Sequence, residues 1–358
     1  MKQPNIAIVS TNRHKYSETF IHRHISELPG KVHLLFDGYL PAAYSADRGL
    51  TGYFFKANQD PAENLYDYLV EHQIDVVLAE YGPSGVEVAP ICAKTKIPLV
   101  VHFHGYDAFR EDVLTSYGPQ YREMFEKAAA VIGVSQPMMK QLEQLGCPVD
   151  KLHLVHYGID TATFQYTSHP RDPHLVSCGR FVEKKAPDLV LRTFALLVKT
   201  YPNARLTMIG DGPLLASCKL FAQELGLSEK VTFTGVLTQP EIAKVYAESA
   251  VFLQHSLMPA NGDSEGTPLT IMEAAAAGLP IVSTRHGGIP YIVKDCVTGL
   301  LVNEGDWKSV AAQITYLLEN PERAVEMGKA GSKKINASYT LAHGTEQLYA
   351  VLCGVNQK

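Results

Sequence analysis

The chain has 358 residues, of which 46% are hydrophobic and 19% charged, a balance typical of a globular protein with two domains. Its formal charge of −5 argues against a nucleic-acid-binding protein, because such domains carry a basic excess. No apolar run approaches the roughly 18 residues of a membrane span. The six cysteines are scattered, which favours a cytoplasmic protein over one built on disulfides.

Short apolar runs alternate with helical patterns along the first half of the chain, which is typical of a parallel sheet. The predicted strands are residues 6–9, 32–36, 76–79, 99–103 and 131–134. The loop after the first of them carries Ser17 and Thr19, each a candidate for either helix capping or a hydrogen bond to phosphate or acceptor. The same region is rich in basic side chains, which suit either an anionic membrane surface or lipid-phosphate acceptor, or else a solvated helix face: His14, Lys15, His22, Arg23 and His24.

Two histidines stand near the end of the strand at 99–103. The two-residue period of a strand places His102 and His104 on one face, and His104 lies nearer the carboxyl end, where doubly wound sheets bind ligands. Gly105 permits close approach of a ligand. Strand histidines are usually structural, and we assign that role to His102.

The polar segment 165–173, with two prolines, predicts a connection between domains. The alternation then restarts with strands at 175–178, 206–209, 231–233, 251–254 and 281–283, separated by helices at 187–199, 214–225, 240–249 and 268–277. The sequence therefore predicts two Rossmann-like, doubly wound α/β domains, residues 1–164 and 174–339. We expect the C-terminal helix, about residues 340–358, to pack back on the first domain.

Two loops of the second half carry charged residues at predicted strand ends. Arg180 and Lys185 follow the strand at 175–178, where a forked guanidinium and a mobile ammonium suit phosphate; Lys184 is interpreted as a solvated neighbour. Residues 210–213 are interpreted as a strand-to-helix turn, because the dinucleotide-binding glycine pattern is incomplete.

The second loop leads into a helix that is marked at both ends. Thr267 suits the N-cap, Pro268 the first helical position and Gly278 the end. The amides of Leu269 and Thr270 then form a phosphate site, and Gly266 lets the phosphate come close.

Glu265 and Glu273, with seven residues between them and Ala-Gly-Leu-Pro-Ile-Val after them, resemble the signature of retaining glycosyltransferases of family 4. The resemblance implies a GT-B fold, in which two Rossmann-like domains face each other across a cleft. It implies that Glu273 binds the donor ribose, that Glu265 contacts the donor sugar, and that Gly235 and Val236 meet the nucleotide base, although a plain turn explains Gly235 equally well. The Ser-Glu-Thr-Phe at 17–20 is similar to exopolysaccharide-type members.

The same resemblance assigns His104, in a His-Gly-x-Asp element, to the donor sugar, and makes Asp107 a possible contact of phosphate or acceptor. Tyr291 and Cys296 depart from the residues usual in the family, while Gly287 and Gly288 are candidates either for phosphate contacts or for a flexible turn.

The implied activity is a hexosyltransferase-type transfer, with retention, from a nucleoside-diphosphate sugar to a carbohydrate or lipid-linked acceptor, in polysaccharide or glycolipid assembly. Catalysis is expected from His104, Glu265, Arg180 and Lys185. No Asp-x-Asp occurs, so we expect cationic side chains rather than a metal at the diphosphate, and no cofactor. Localisation is expected to be cytoplasmic, with possible peripheral membrane contact. The alternatives are a GT-B phosphorylase, a nucleotide-sugar epimerase, or a catalytically silent protein that binds sugar nucleotides or glycans.

Overall fold

The structure, a computed structural model, describes residues 3–11, 18–168 and 172–355. Its strands are β1 (Asn5–Val9), β2 (Lys31–Phe36), β3 (Ala43–Ser45), β4 (Tyr53–Phe54), β5 (Val76–Glu80), β6 (Leu99–His102), β7 (Ala130–Gly133), β8 (Leu152–Leu154), β9 (His174–Cys178), β10 (Arg205–Ile209), β11 (Val231–Gly235), β12 (Val251–Leu253), β13 (Ile281–Thr284) and β14 (Gly299–Val302).

The helices are α1 (Thr19–Glu27), α2 (Pro61–Glu71), α3 (Gly82–Thr95), α4 (Tyr106–Phe109), α5 (Glu111–Lys127), α6 (Gln136–Gln144), α7 (Pro187–Thr200), α8 (Leu215–Glu224), α9 (Gln239–Ala247), α10 (Leu269–Ala276), α11 (Ile289–Ile292), α12 (Trp307–Glu319), α13 (Pro321–Ser338) and α14 (Leu341–Val355). None of these helices is both long and apolar enough to cross a membrane.

The first unit, Met1–Gly158 with Ala342–Lys358, is built on an eight-stranded sheet in the order β4-β3-β2-β1-β5-β6-β7-β8. Its strands are parallel except for the β3–β4 hairpin at one edge. The central strands are almost entirely buried and mostly apolar because helices cover both faces. After β1 the chain first builds one side of the sheet, then returns at β5 to build the other, so the topological switch point lies between β1 and β5.

The second unit, Ile159–Leu341, is built on a parallel six-stranded sheet in the order β11-β10-β9-β12-β13-β14. Its core lies in two layers, one on each face of the sheet. Here the switch point lies between β9 and β12. The prediction of two doubly wound α/β units is confirmed, whereas the β3–β4 hairpin, β8 and β14 were not predicted.

The division between the units differs in detail from the predicted boundaries. The first unit ends at Gly158, rather than at residue 164. The Ile159 amide donates to the Tyr339 carbonyl, and Ile159 and Phe164 are buried in the core of the second unit. Helix α14 returns to the first unit, where Leu348 and Leu352 enter the core beside β1 and α1.

Candidate active site

In the second unit, the loops after β9 and β12 meet at the switch point between these strands. Lys185 Nζ, from the loop after β9, lies 3.1 Å from Glu265 Oε1, from the loop after β12, and the two side chains are 15% and 8% exposed. Burial alone would raise the pKa of Glu265, but Lys185, Lys184 and His286 outweigh it and lower that pKa. The carboxylate is therefore ionised and sits against an ammonium group.

Lys184 is not the solvated neighbour that the sequence suggested. Its ammonium forms an ion pair with Asp263 at 2.9 Å and donates to the Ser264 carbonyl at 3.3 Å, while its own carbonyl accepts from the Leu257 amide. The two lysines therefore have different roles: Lys184 anchors the backbone of the loop after β12, whereas Lys185 contacts Glu265.

A second network fixes Glu265 from the other side, and the sequence analysis missed it. The Glu265 amide donates to His286 Nε2 at 3.2 Å, and His286 Nδ1 lies 2.7 Å from Glu304 Oε1. The Gly288 amide donates to the Glu265 carbonyl, and a Cβ on Gly287, whose φ is +49°, would stand 2.3 Å from that carbonyl oxygen. The Gly288 amide is thus bonded to Glu265 rather than free for phosphate, and Gly287 permits the close approach of the Glu265 carbonyl.

Helix α10 begins at Leu269, with Pro268 as its N-cap and without a capping side-chain hydrogen bond. The prediction that Thr267 is the N-cap and Pro268 the first helical residue is wrong by one position, because Pro268 has an extended ψ of 105°. The first-turn amides of an α-helix have no intrahelical acceptor, so Leu269 and Thr270 still present N–H groups just beyond the loop of Glu265. This end of the helix suits an anion.

Glu273, one turn further along α10, is buried. Burial raises its pKa to about 7, opposed by a hydrogen bond with Gln239 at the start of α9. Cys178, at the end of β9, is buried; burial and the neighbouring Glu273 raise the pKa of its thiol, and Lys185 opposes this. A carboxyl in this position can accept hydrogen bonds from a diol.

Gln254, directly after β12, was not predicted to belong to the site. Its side chain accepts from the Thr270 hydroxyl at 3.2 Å and donates to Ser256, which links the strand end to the first turn of α10. A small pocket between β9 and β12 is lined by Gly179, Arg180, Lys185 and Gln254, among others. The guanidinium of Arg180 is exposed and forms no hydrogen bond or ion pair within the described ranges.

Gly235 and Val236, the remaining residues predicted to contact the donor, lie at the end of β11. Gly235 has a φ of +72°, and its carbonyl accepts from the Gly210 amide at 2.8 Å. Val236 is half exposed beside it, as an apolar surface for a base would be. The turn at Gly210 is a strand-to-helix connection, as predicted, and it needs glycine because a Cβ there would lie 2.1 Å from the Gly179 carbonyl oxygen.

In the first unit, His104 already has two protein partners. Its Nδ1 lies 2.6 Å from the Tyr157 hydroxyl and its Nε2 lies 2.7 Å from Glu80 Oε2. Burial lowers the pKa of His104 to about 3, so the ring is neutral. For His104 to bind a sugar, one of these partners must be displaced, and the structure does not supply the free ring nitrogen that the prediction assumed.

Asp107 is not placed to contact phosphate or acceptor. Its side chain is fully buried and accepts from the amides of Gly82, His104 and Gly105 at 2.9–3.0 Å. Burial raises its pKa to about 6 despite these hydrogen bonds. The carboxyl group organises the turn from β6 into α4, which is a structural task.

The remaining candidates lie at the start of α1. Ser17, His14 and Lys15 fall outside the described residues. The N-cap of α1 is Glu18, so Thr19 is its first helical residue and does not cap it. Arg23 pairs with Glu27, and His24 is turned inward onto Glu80 at 2.7 Å. Of the basic residues that the structure describes here, Arg23 and His24 thus each contact an acidic side chain of the same unit.

Comparison with known proteins matches both units. Residues 18–163 match the model of Glycosyltransferase Family 4, and residues 159–334 match that of Glycosyl transferases group 1. The chain is 30% identical over 268 residues to the putative colanic acid biosynthesis glycosyltransferase WcaL of Escherichia coli, covering 72% of this chain and 66% of that protein. It is 29% identical over 284 residues to the amylovoran biosynthesis glycosyltransferase AmsK of Erwinia amylovora, covering 78% and 70%. The matched region thus spans about two thirds of the length of these relatives.

Solved structures share the fold at low identity. Anabaena HepE in complex with UDP superposes with a TM-score of 0.82 at 18% identity, covering 99% of this chain and 100% of that one. Sucrose-phosphate synthase of Thermosynechococcus elongatus gives 0.77 at 18%, covering 98% and 99%. Two Rossmann-like units with an acidic loop and helix at the second switch point define a protein of the GT-B class. The chain belongs to glycosyltransferase family 4.

Proposed function

We propose that the chain is a retaining glycosyltransferase that moves a hexose from a nucleoside-diphosphate sugar to an acceptor hydroxyl. The observation that carries this proposal is the buried Lys185–Glu265 pair just before the amino end of α10. A departing diphosphate accumulates negative charge, and fixed cations and helix amides at that position lower the barrier. Arg180 and Lys185 provide the positive charge, and Leu269 and Thr270 provide the amides.

The Lys185–Glu265 contact gives the lysine a resting partner before the donor arrives. When a diphosphate enters, the ammonium group can turn from Glu265 to a phosphate oxygen. Glu265 is then left as a buried acceptor for a sugar hydroxyl, while Glu273 accepts from the ribose. No metal is needed for this step, because side chains and amides carry the neutralisation.

The acceptor side is proposed from the relatives. WcaL and AmsK are named for colanic acid and amylovoran biosynthesis, and a mannosyltransferase of Mycolicibacterium smegmatis acting on phosphatidylinositol monomannoside is 34% identical over 160 residues. These names support a polysaccharide or glycolipid acceptor. They differ in donor, since that mannosyltransferase is GDP-mannose-dependent whereas HepE was solved with UDP-glucose.

A thermal-shift panel of UDP, GDP and their sugars, with and without Mg²⁺, tests the donor half of the proposal. We expect the nucleotides of one base, either uracil or guanine, to raise the Tm of the wild type equally with and without Mg²⁺. Lys185→Gln should abolish that rise in Tm. Lys219→Gln, which removes an exposed lysine of α8, is the matched control. Absence of a shift with every nucleotide would contradict donor binding.

Turnover assays then separate transfer from its alternatives. Incubation with the donor alone detects epimerisation or slow hydrolysis. Incubation of the glycoside product with inorganic phosphate detects a phosphorylase. We expect slow hydrolysis that is lost in Glu273→Ala, and an α-linked product from an α-linked donor by NMR. Binding without any turnover would instead favour a silent sugar-nucleotide-binding protein.

A further inference from the structure

A cluster of three side chains occupies the switch point of the first sheet and has no part in the donor chemistry described above. Glu80 is the last residue of β5 and pairs in register with His102, the last residue of β6. His24 reaches the same place from α1, the helix that follows β1. Ligands of doubly wound sheets bind at such switch points, beyond the carboxyl ends of the strands.

The cluster has the donor atoms and spacing of a metal site. His24 Nδ1 lies 2.7 Å from Glu80 Oε1, and His102 Nδ1 lies 3.5 Å from Glu80 Oε2. One ligand atom from each residue falls within 4.8 Å of the others. Around a tetrahedral zinc ion with bonds near 2.0–2.1 Å, ligand atoms stand roughly 3.3 Å apart, so small side-chain movements close the site.

His102 provides the independent indication that a ligand belongs here. Its side chain is 1% exposed, and within the described residues its Nε2 has no hydrogen-bond partner, while its Nδ1 has the long 3.5 Å contact with Glu80 Oε2. Leaving buried imidazole nitrogens without well-formed hydrogen bonds is unfavourable. Its Nδ1 points at Glu80, where a bound cation would satisfy both groups.

The charge balance also favours a cation. The Glu80 side chain is fully buried, and the ion-pair partners recorded for it are His24, His102 and His104. Buried carboxylates are ordinarily paired with a cationic side chain or coordinated to a metal, and here no lysine or arginine within the described residues forms that pair.

We propose that His24, Glu80 and His102 bind one divalent transition-metal ion, with Zn²⁺ as the best fit to two imidazoles and a carboxylate. His104 forms the outer layer, since its Nε2 contacts Glu80 Oε2 at 2.7 Å while its Nδ1 contacts Tyr157. Second-layer contacts of this kind orient a ligand and tune its basicity. The ion enters past His24, whose side chain is 12% exposed.

The sequence analysis expected no metal ion, so the proposed ion is an addition to that expectation. The residues proposed to bind it differ from those proposed to bind the diphosphate. Its ligands come from α1, β5 and β6 of the first unit, whereas the proposed diphosphate contacts belong to the second. Failure of this proposal and failure of the proposed transfer activity are therefore distinguishable, because metal content and nucleotide binding are measured separately.

The test uses the untagged, full-length chain, stripped with a chelator and titrated with Zn²⁺ or Co²⁺. We expect one equivalent of bound metal by elemental analysis, the visible absorption of tetrahedral Co²⁺, and a rise in Tm. His102→Gln and Glu80→Gln should each lower the affinity at least tenfold. His22→Gln, the same change two residues before His24 on α1, should leave it unchanged.

X-ray absorption of the Zn²⁺-loaded wild type keeps the test decisive if a variant fails to fold. We expect two nitrogen ligands from imidazole and at least one oxygen at about 2.0–2.1 Å. A stripped wild type that takes up less than a tenth of an equivalent overturns the proposal. So does a His102→Gln variant that binds metal as tightly as His22→Gln.

Discussion

Replacing Lys185 by Gln tests the electrostatic centre of the second unit. Lys185 and Glu265 are both largely buried and 3.1 Å apart. Removing one member of a buried pair costs ~3–5 kcal/mol, because the remaining charge is left unpaired. Lys184 and His286 still act on Glu265, so we expect the free energy of unfolding of this unit to fall by about 3 kcal/mol, the low end of that range.

The chain offers a specific probe for this measurement. Its single tryptophan, Trp307, opens α12 in the second unit, so urea unfolding followed by tryptophan fluorescence reports on that unit. The double variant Lys185→Gln/Glu265→Gln removes both charges of the pair and should recover more than half of the lost stability. It should not recover nucleotide binding, because the cation for the diphosphate is still missing.

The stability loss of Lys185→Gln should depend on pH through the pKa of Glu265. In the wild type the lowered pKa of Glu265 contributes stability that is present above the unfolded pKa near 4.3 and lost as pH falls through the folded pKa. Without Lys185, burial raises that pKa, so the ionised carboxylate destabilises the fold at high pH. The stability deficit should therefore be larger at pH 8 than at pH 5. A deficit below 1 kcal/mol, or a double variant no more stable than Lys185→Gln, would refute the reasoning.

Three further variants test individual contacts. The pKa of Glu273 is raised by burial from 4.5 to about 7, so Glu273→Gln should match the wild type in stability near pH 5 and exceed it at pH 8 by roughly 2–3 kcal/mol, as measured by urea unfolding, while losing nucleotide binding. Asp107→Asn turns an amide donor toward backbone N–H groups and should cost about 1–3 kcal/mol in chemical denaturation; no loss would contradict its structural role. Gly287→Ala places a Cβ 2.3 Å from the Glu265 carbonyl oxygen at a φ of +49°, and should weaken nucleotide binding at least tenfold by calorimetry; unchanged affinity would show that this carbonyl moves freely.

The sequence predicted those elements that carry their own periodicity. The five first-half strands predicted from apolar runs all exist, because a strand buried on both faces is mostly apolar. The β3–β4 hairpin was missed because strands of three and two residues are too short to show a pattern. Its edge position also relaxes the need for apolar residues, and β4 is exposed.

A single sequence could not show which loop residues contact one another. Glu265 and His286 are 21 positions apart, and their contact depends on how the turn after β13 lies against the loop after β12. Lys184 and Lys185 look equivalent in the sequence, and only the direction of each side chain from the short helical turn at Glu183–Lys185 separates their partners. Gly287 was a candidate from the sequence, but the reason for a glycine there is the nearby Glu265 carbonyl oxygen, a tertiary contact that the sequence does not show.

The two switch points differ in charge, and that difference divides the chemistry between the units. At the second switch point Lys185 lies beside Glu265, in the loop before α10, and we propose that Lys185 and Arg180 offset the charge of a diphosphate there. The first gathers imidazoles around a buried carboxylate, and a neutral His104 cannot offset phosphate charge. Without the proposed metal ion, this cluster offers hydrogen-bonding groups, which suit hydroxyl groups, rather than a counter-charge for phosphate. A diphosphate that bound to an isolated first unit as tightly as to the whole chain would contradict this division.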